Sequence, residues 1–271
     1  MMTKQRGNSN HSIILWKCVF VIGFILIIGS FLYTLWVSWD KFLEGNMVAN
    51  LLQIFSEMIP PNLSVIMTLG EPILETTAMS VMATLLSILI SFPLSFLAAS
   101  NVTSNAVIRG IIRALFGVLR TIPELIMGVI FVAAVGFGIL PGILALGFHS
   151  IGMLGKFYAE AIEKVDEGLN EAVVASGGST FHMIIFSVIP QIISHVVDYS
   201  LYRWEYNFRA STVVGLIGAG GLGFHLIASL RIMQYRDVFA ILLVIFILVQ
   251  MVDKLGSLIR SQLIGGNGNE R

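Results

Sequence analysis

Charge-free runs divide the chain. Residues 18–39, 76–108, 125–155, 172–197, 210–230 and 238–252 contain no Asp, Glu, Lys or Arg. Each run, with its flanks, supplies the roughly 20 residues that a helix needs to cross a bilayer. None alternates apolar and polar positions with period two, and only helices and closed barrels satisfy their backbones in lipid. The expectation is an all-α polytopic membrane protein with about six transmembrane helices. Helices are predicted over residues 13–36, 74–99, 115–137 and 139–158, from residue 184, and over 238–255, with Pro93 bending the second. Trp16, Trp36 and Trp39 take the positions of interfacial anchors. Residues 40–62 have amphipathic spacing and are expected along the membrane surface.

Composition supports this reading. Of 271 residues, 56% are hydrophobic and 12% charged, with a mean hydropathy of +0.88; soluble domains carry roughly 25% charge. The first apolar run is too long for a signal-peptide core and lacks a small-residue cleavage site, so it is expected to remain as helix one. Cys18 is the one cysteine, which excludes an intrachain disulfide and a cysteine metal site. The histidines lack metal-binding spacing, so no metal is expected. Net charge is zero, and no nucleic acid partner is implied.

Charge placement orients the chain. With six spans, Lys4, Arg6, Lys17, Arg109, Arg113, Arg120, Lys156, Lys164, Lys254, Arg260 and Arg271 fall on the side of the termini, against Lys41, Arg231 and Arg236 opposite. Basic residues favour the cytoplasmic side, so both termini and the loop over residues 160–182 are expected there. In that loop "DEGLNEAVVASGG" can form a short helix, with Glu167 and Glu171 in its first turns and Gly177–Gly178 as its C-terminal stop.

Two features invite chemistry. "GLIGAGGLG" has the G-x-G-x-x-G spacing of a dinucleotide fingerprint at Gly218, Gly220 and Gly223, with Asp237 following 19 positions after Gly218. It lies between membrane helices rather than in a βαβ unit. Its glycines, with Gly215 and Gly221, are therefore expected to break the fifth helix as a gate or hinge. On that helix Asp198, Tyr202, Glu205 and Arg209 share one face, flanked by His195 and Tyr206, while Arg203 and Asn207 point elsewhere. Glu205 and Arg209 are spaced for an intrahelical ion pair; Arg120 and Glu124, beside Pro123, are spaced likewise. Membrane-depth charges either neutralise one another and fix packing or line a polar path. Both readings stand on the sequence.

The loop and the fifth helix resemble the permease subunits of ATP-binding-cassette importers. Their cytoplasmic signature reads Glu-Ala-Ala, three residues, Gly, nine residues, Ile, one residue, Leu-Pro. This chain has Glu171-Ala172-Val173, Gly177, Ser187 and Ile189-Pro190 at the same spacing. "YSLYRWEYNFRASTVVGLIGAGGLG" is similar to the matching region of phosphonate importer permeases.

The resemblance implies a type I (MetI-like) permease fold over residues 73–262, after an N-terminal region over 1–72 and before a tail over 263–271. It implies a homodimer in the bacterial cytoplasmic membrane with two cytoplasmic ATP-binding subunits, which hold ATP and magnesium, and an extracytoplasmic phosphonate-binding protein. Its coupling loop would place Ala172, Ser176 and Gly177 close to the ATPase, with Phe181 as apolar anchor and Pro190 ending the motif. The expected translocation path runs along Asp198, Tyr202, Arg203, Glu205, Asn207, Arg209 and Ser211, with an arginine meeting a doubly charged anion. The chain has no G-x-x-x-x-G-K-[ST], so no catalytic residue is expected in it. Phosphite or phosphate esters, another importer branch, or a secondary transporter are the alternatives.

Overall fold

The structure, a computed structural model, describes residues 7–44 and 47–263, all of whose regular elements are helices. Lys4, Arg6, Arg271 and the tail from residue 264 lie outside the described residues, as do the side chains of Trp39 and Lys41. The described residues up to Glu57 form one compact unit and those from Met58 onward another. The first holds α1 (Gly7–Glu44), with a span of mean hydropathy 2.5 over Trp16–Trp36, and most of the amphipathic α2 (Met47–Met58).

The second unit begins before residue 73 for a visible reason. The Asn62 side chain donates to Asp237 at 2.7 Å, and Leu69 is buried with Leu222 and Ile241. The turn over Leu63–Thr68 is thereby fastened to the last helix before α3 (Gly70–Ala98) starts. Pro93 lies inside α3, which runs through it without a break.

Two helices replace the predicted span over 115–137. They are α4 (Ala106–Thr121) and α5 (Glu124–Val135), which meet at 88° across Ile122 and Pro123. Proline removes the hydrogen bond and the space that a continuous helix would need there. The break also removes the predicted Arg120–Glu124 pair, because residues four apart share a face only within one helix. On α4 the exposed apolar residues Val107, Ile111 and Val118 share one face, and Arg109, Arg113 and Arg120 the other. That is the pattern of an interfacial helix.

The core is built on α3 and α6 (Ile139–Glu163). Along α3 the side chains of Thr76, Ser80, Thr84, Ser87, Ser91 and Ser95 are all buried. Most of these hydroxyls donate to carbonyls one turn back, and Ser91 donates across to the Ile151 carbonyl at 3.1 Å. Small residues let membrane helices approach where no aqueous hydrophobic effect drives them together. Glycines on α6 do the same for α4: a Cβ at Gly152 would stand 2.6 Å from the Phe116 carbonyl oxygen, and one at Gly155 would strike the Phe116 ring.

The chain continues through α7 (Glu167–Ala175), α8 (Thr180–Met183), a π turn over Ile184–Val188 and α9 (Ile189–Val214). A second π turn (Gly215–Ala219), α10 (Gly221–Arg231) and α11 (Tyr235–Leu263) complete the unit. Among the described residues, five helical segments are long and apolar enough to cross a membrane, or six if the bent α4–α5 pair counts as one.

Candidate functional site

The loop helix α7 is local chemistry made visible. Asp166 caps it by accepting from the Gly168 N–H at 2.8 Å. Its far end closes when Gly177 and Gly178 donate to the carbonyls of Val174 and Val173 at 2.9 and 3.0 Å. This is the Schellman arrangement, and it requires the left-handed φ of +87° that Gly177 adopts. Glu171, Ala172, Ser176 and Gly177 are exposed, as is Phe181, at 67%. Phe186, equally exposed, stacks on His182 with ring centroids 6.3 Å apart. A cavity of about 400 Å³ opens among Val173, Ser176, Gly177, Gly178, His182 and Phe186.

The inner side of α7 is tied down. Ser187 donates to the buried Asn170 at 2.7 Å, and the Asp166 N–H donates to Gln191 at 2.9 Å. The π turn ends where the Ile189 N–H reaches back to Ile184, next to Pro190, which has no N–H to donate. The motif residues Ser187 and Pro190 therefore sit where the exposed helix joins the long one. Phe186, Asn170 and Gln191 escaped the sequence reading, which took Phe181 alone as anchor.

Further along α9 the polar face resolves into two sets. Asp198, Glu205 and Arg209 meet α11: Arg209 donates to Asp253 at 2.6 Å, Arg260 pairs with Glu205, and Arg260 lies 3.6 Å from Asp198. The predicted Glu205–Arg209 pair is not made, because α11 offers each charge a partner across the helix interface. Gly256 makes room, since a Cβ there would collide with the Glu205 carboxylate. Tyr202 is half exposed on the same helix.

The second set points into the bundle. Arg203, Asn207 and Ser211 are buried. Arg203 donates through Nε to the Ser150 hydroxyl at 2.7 Å, and its Cζ lies 4.1 Å from the centre of the Tyr206 ring. Tyr206 in turn donates to Glu124 at 2.6 Å, and His149 stands 3.6 Å from the other oxygen of that carboxylate. Asn207 bridges Thr84 on α3 and Ser150 on α6 at 2.9 and 3.0 Å. Ser211 donates to the Phe208 carbonyl one turn back, at 2.7 Å. Glu124 and His149 were not foreseen as members of this cluster; a carboxylate directly after Pro123 and a histidine inside an apolar run were the available signals. Among the described residues no group of three His, Cys, Asp or Glu side chains is placed to hold a metal ion.

The glycine run makes a chain reversal. Gly218, Gly220 and Gly221 have φ of +101°, +83° and +68°. The Gly221 N–H donates to the Glu75 carboxylate at 2.7 Å and the Leu222 N–H to Thr76 at 2.9 Å, so α3 caps the start of α10. Gly215 and Gly223 pack backbone to backbone; a Cβ at Gly215 would lie 2.6 Å from the Gly220 carbonyl oxygen. Asp237, the carboxylate of the apparent fingerprint, holds Asn62 instead.

Comparison with known proteins places this architecture. Residues 91–255 match the family described as binding-protein-dependent transport system inner membrane component. The phosphite transport system permease protein PtxC of Stutzerimonas stutzeri is 48% identical over 79% of this chain and 78% of its own length. The phosphate-import permease protein PhnE of Mycolicibacterium smegmatis is 40% identical over 78% of this chain, which spans 40% of that protein. Among solved structures, a chain of the MetNI methionine ABC transporter in an inward-facing conformation superposes with a TM-score of 0.64 at 19% identity. That match covers 74% of this chain and 98% of the other.

Proposed function

The chain belongs to the inner membrane components of binding-protein-dependent transport systems and is a permease subunit of an importer, and we propose that its cargo is a small phosphorus oxyanion, a phosphonate or phosphite. The observation that carries the cargo is the 48% identity to a phosphite permease, joined by a 40% match to a phosphate-import permease. The secondary-transporter alternative falls with the family.

Two copies would pair in the cytoplasmic membrane, termini inward, each presenting α7 to one of two ATP-binding subunits. ATP and magnesium would sit on those subunits, and an extracytoplasmic binding protein would deliver the anion. The surface offered is chemically suited to docking: exposed Phe181 and Phe186, with Ser176 and Gly177 between them and α7, supply apolar anchors beside close-approach positions. Movement of α7 would pass to α9 through the Asn170–Ser187 and Asp166–Gln191 hydrogen bonds. Rigid rearrangement of packed helices then alternates access across the membrane. The glycine reversal and its Glu75 cap lie at the opposite end of α9 and would form the outer gate.

The test is uptake by the reconstituted complex. Proteoliposomes holding the permease and its ATPase should accumulate labelled phosphite or methylphosphonate only with ATP inside and loaded binding protein outside. Accumulation driven by a proton or sodium gradient without ATP would refute the reading.

A further inference from the structure

We propose that Arg203 is an oxyanion-binding site within the membrane, kept covered by a Tyr206–Glu124 latch and opened at the α4–α5 break. The proposal rests on the reading of the cargo as a phosphorus oxyanion and adds where that cargo is held.

Three observations point to the site. Arg203 is 3% exposed and is the one buried arginine among the described residues. Arg113, Arg209 and Arg260 each hold a carboxylate. Arg203 holds none among the described residues: its Nε is spent on Ser150, and its Nη2 is buried with no hydrogen-bond partner. A buried charged donor left unmade is costly, and membrane-depth charges normally carry a counter-ion. The nearest carboxylate, Glu124, already serves the Tyr206 hydroxyl and His149. Arg203 thus keeps a buried guanidinium N–H that no acceptor of the chain satisfies among the described residues, and Glu124, its one nearby carboxylate, is shared with two other groups.

The chemistry selects the class. A planar guanidinium offers parallel N–H donors matched to two oxygens of a phosphonate, phosphite or phosphate. Ser150 holds Arg203 from the other side by accepting from its Nε, and is itself bound to Asn207, which donates to Thr84.

The cover follows from Tyr206. Its ring lies over the guanidinium, and its hydroxyl is bound to Glu124, the first residue of α5. The break at Ile122–Pro123 lets α5 tilt against α9 without bending either helix. Tilting would draw Glu124 from Tyr206, free the ring, and expose Nη2. The anion then exchanges one set of hydrogen bonds for another. Binding is weak enough for release, as an importer requires.

The experiment uses the whole complex of permease, ATPase and binding protein in proteoliposomes. It measures the initial rate of phosphite uptake against concentration, and direct phosphite binding to the permease–ATPase complex by calorimetry. For R203Q, uptake should fall about tenfold to a hundredfold and calorimetric binding should vanish, the loss expected when a charge-assisted pair is deleted. R203K should raise the half-saturating concentration more than it lowers the maximal rate, because lysine keeps the charge without the fork. Y206F, which cuts the bond to Glu124 and keeps the ring, should bind phosphite more tightly in the absence of ATP. Wild-type binding and uptake preserved in R203Q and R203K would overturn the site while leaving the cargo intact. No uptake of any phosphorus oxyanion by the wild-type complex would instead overturn the cargo. If R203Q does not reach the membrane, R203K and Y206F decide: unchanged half-saturation in the first and unchanged binding in the second refute the proposal.

Discussion

Ser187 donates its hydroxyl to the Asn170 side chain at 2.7 Å, joining the exposed helix α7 to the π turn that leads into α9. Both residues are buried. Removing Asn170 takes the acceptor from the Ser187 O–H, which keeps only the bond it accepts from Gln191, and an unmade buried hydrogen bond costs about 1–3 kcal/mol. Asn170→Ala should therefore lower the thermal stability of the purified complex and raise the ATP hydrolysed per anion transported. Asn170→Ala/Ser187→Ala should cost less than the two single changes summed, since contacting residues couple. Strict additivity of the two stability losses would show that this bond does not connect the helices.

The exposed face of α7 supports a different expectation. Glu171 is solvent-exposed and makes no ion pair among the described residues, so Glu171→Lys should leave the stability of the permease within about 0.5 kcal/mol, as surface changes usually do. Uptake should nevertheless collapse while ATP hydrolysis continues, because in the proposed docking of α7 the reversed charge would face the ATPase. Gly177→Asp adds backbone strain of about 1–2 kcal/mol at a φ of +87°. Its uptake defect should come with a measurable loss of stability. Normal uptake in Glu171→Lys would count against α7 as the coupling helix.

The charges of α9 rank themselves by burial. Glu205 is 9% exposed and bound to Arg260, whereas Arg209 and Asp253 are 43% and 39% exposed. Deleting one partner of a fully buried pair costs about 3–5 kcal/mol, a ceiling for Glu205 because Arg260 is 30% exposed, and an exposed pair is worth about 0.2–1 kcal/mol. Glu205→Ala should destabilise the folded permease much more than Asp253→Ala. Gly256→Ala should resemble Glu205→Ala, because its methyl group takes the space of the carboxylate. Thermal unfolding in detergent reads all three, and equal shifts for Glu205→Ala and Asp253→Ala would contradict the ranking.

These particulars show which parts of the molecule were legible in the sequence. Long apolar runs specify spans because lipid tolerates so few alternatives, and the α7 helix was legible from Glu167, Glu171 and the Gly177–Gly178 stop, whose effects are local. The pairs of α9 were not. Spacing within one helix makes Glu205 and Arg209 neighbours, but Arg260 and Asp253 come from a helix whose docking no periodicity specifies. Likewise Glu124, His149 and Arg203 belong to α5, α6 and α9, and only the fold brings them together. Pro123 misled for a simpler reason: an apolar run reads the same whether proline kinks a span or splits it. The buried Ser/Thr row of α3 did have a signal, a spacing of three or four from Thr76 to Ser95, hidden inside what read as a uniformly apolar helix.

The glycine reversal provides the sharpest packing test. A methyl group at Gly223 would land on the Thr212 carbonyl oxygen, and one at Gly215 would press on the backbone of Gly220 and Gly223. Backbone atoms cannot rotate away as a side-chain tip can, so each substitution must push α9 and α10 apart. Overpacking of this kind costs about 1–3 kcal/mol. Gly110, on α4, has nothing within 4 Å of its would-be Cβ. Gly110→Ala should be neutral or stabilising, by up to about 1 kcal/mol, from helix propensity alone. Gly215→Ala and Gly223→Ala should both lower the unfolding temperature, and should impair uptake even at temperatures where the fold is retained, since the reversal carries the Glu75 cap of α10. If Gly223→Ala unfolds at the same temperature as Gly110→Ala, the close approach of α9 and α10 at this turn is not a constraint on the fold.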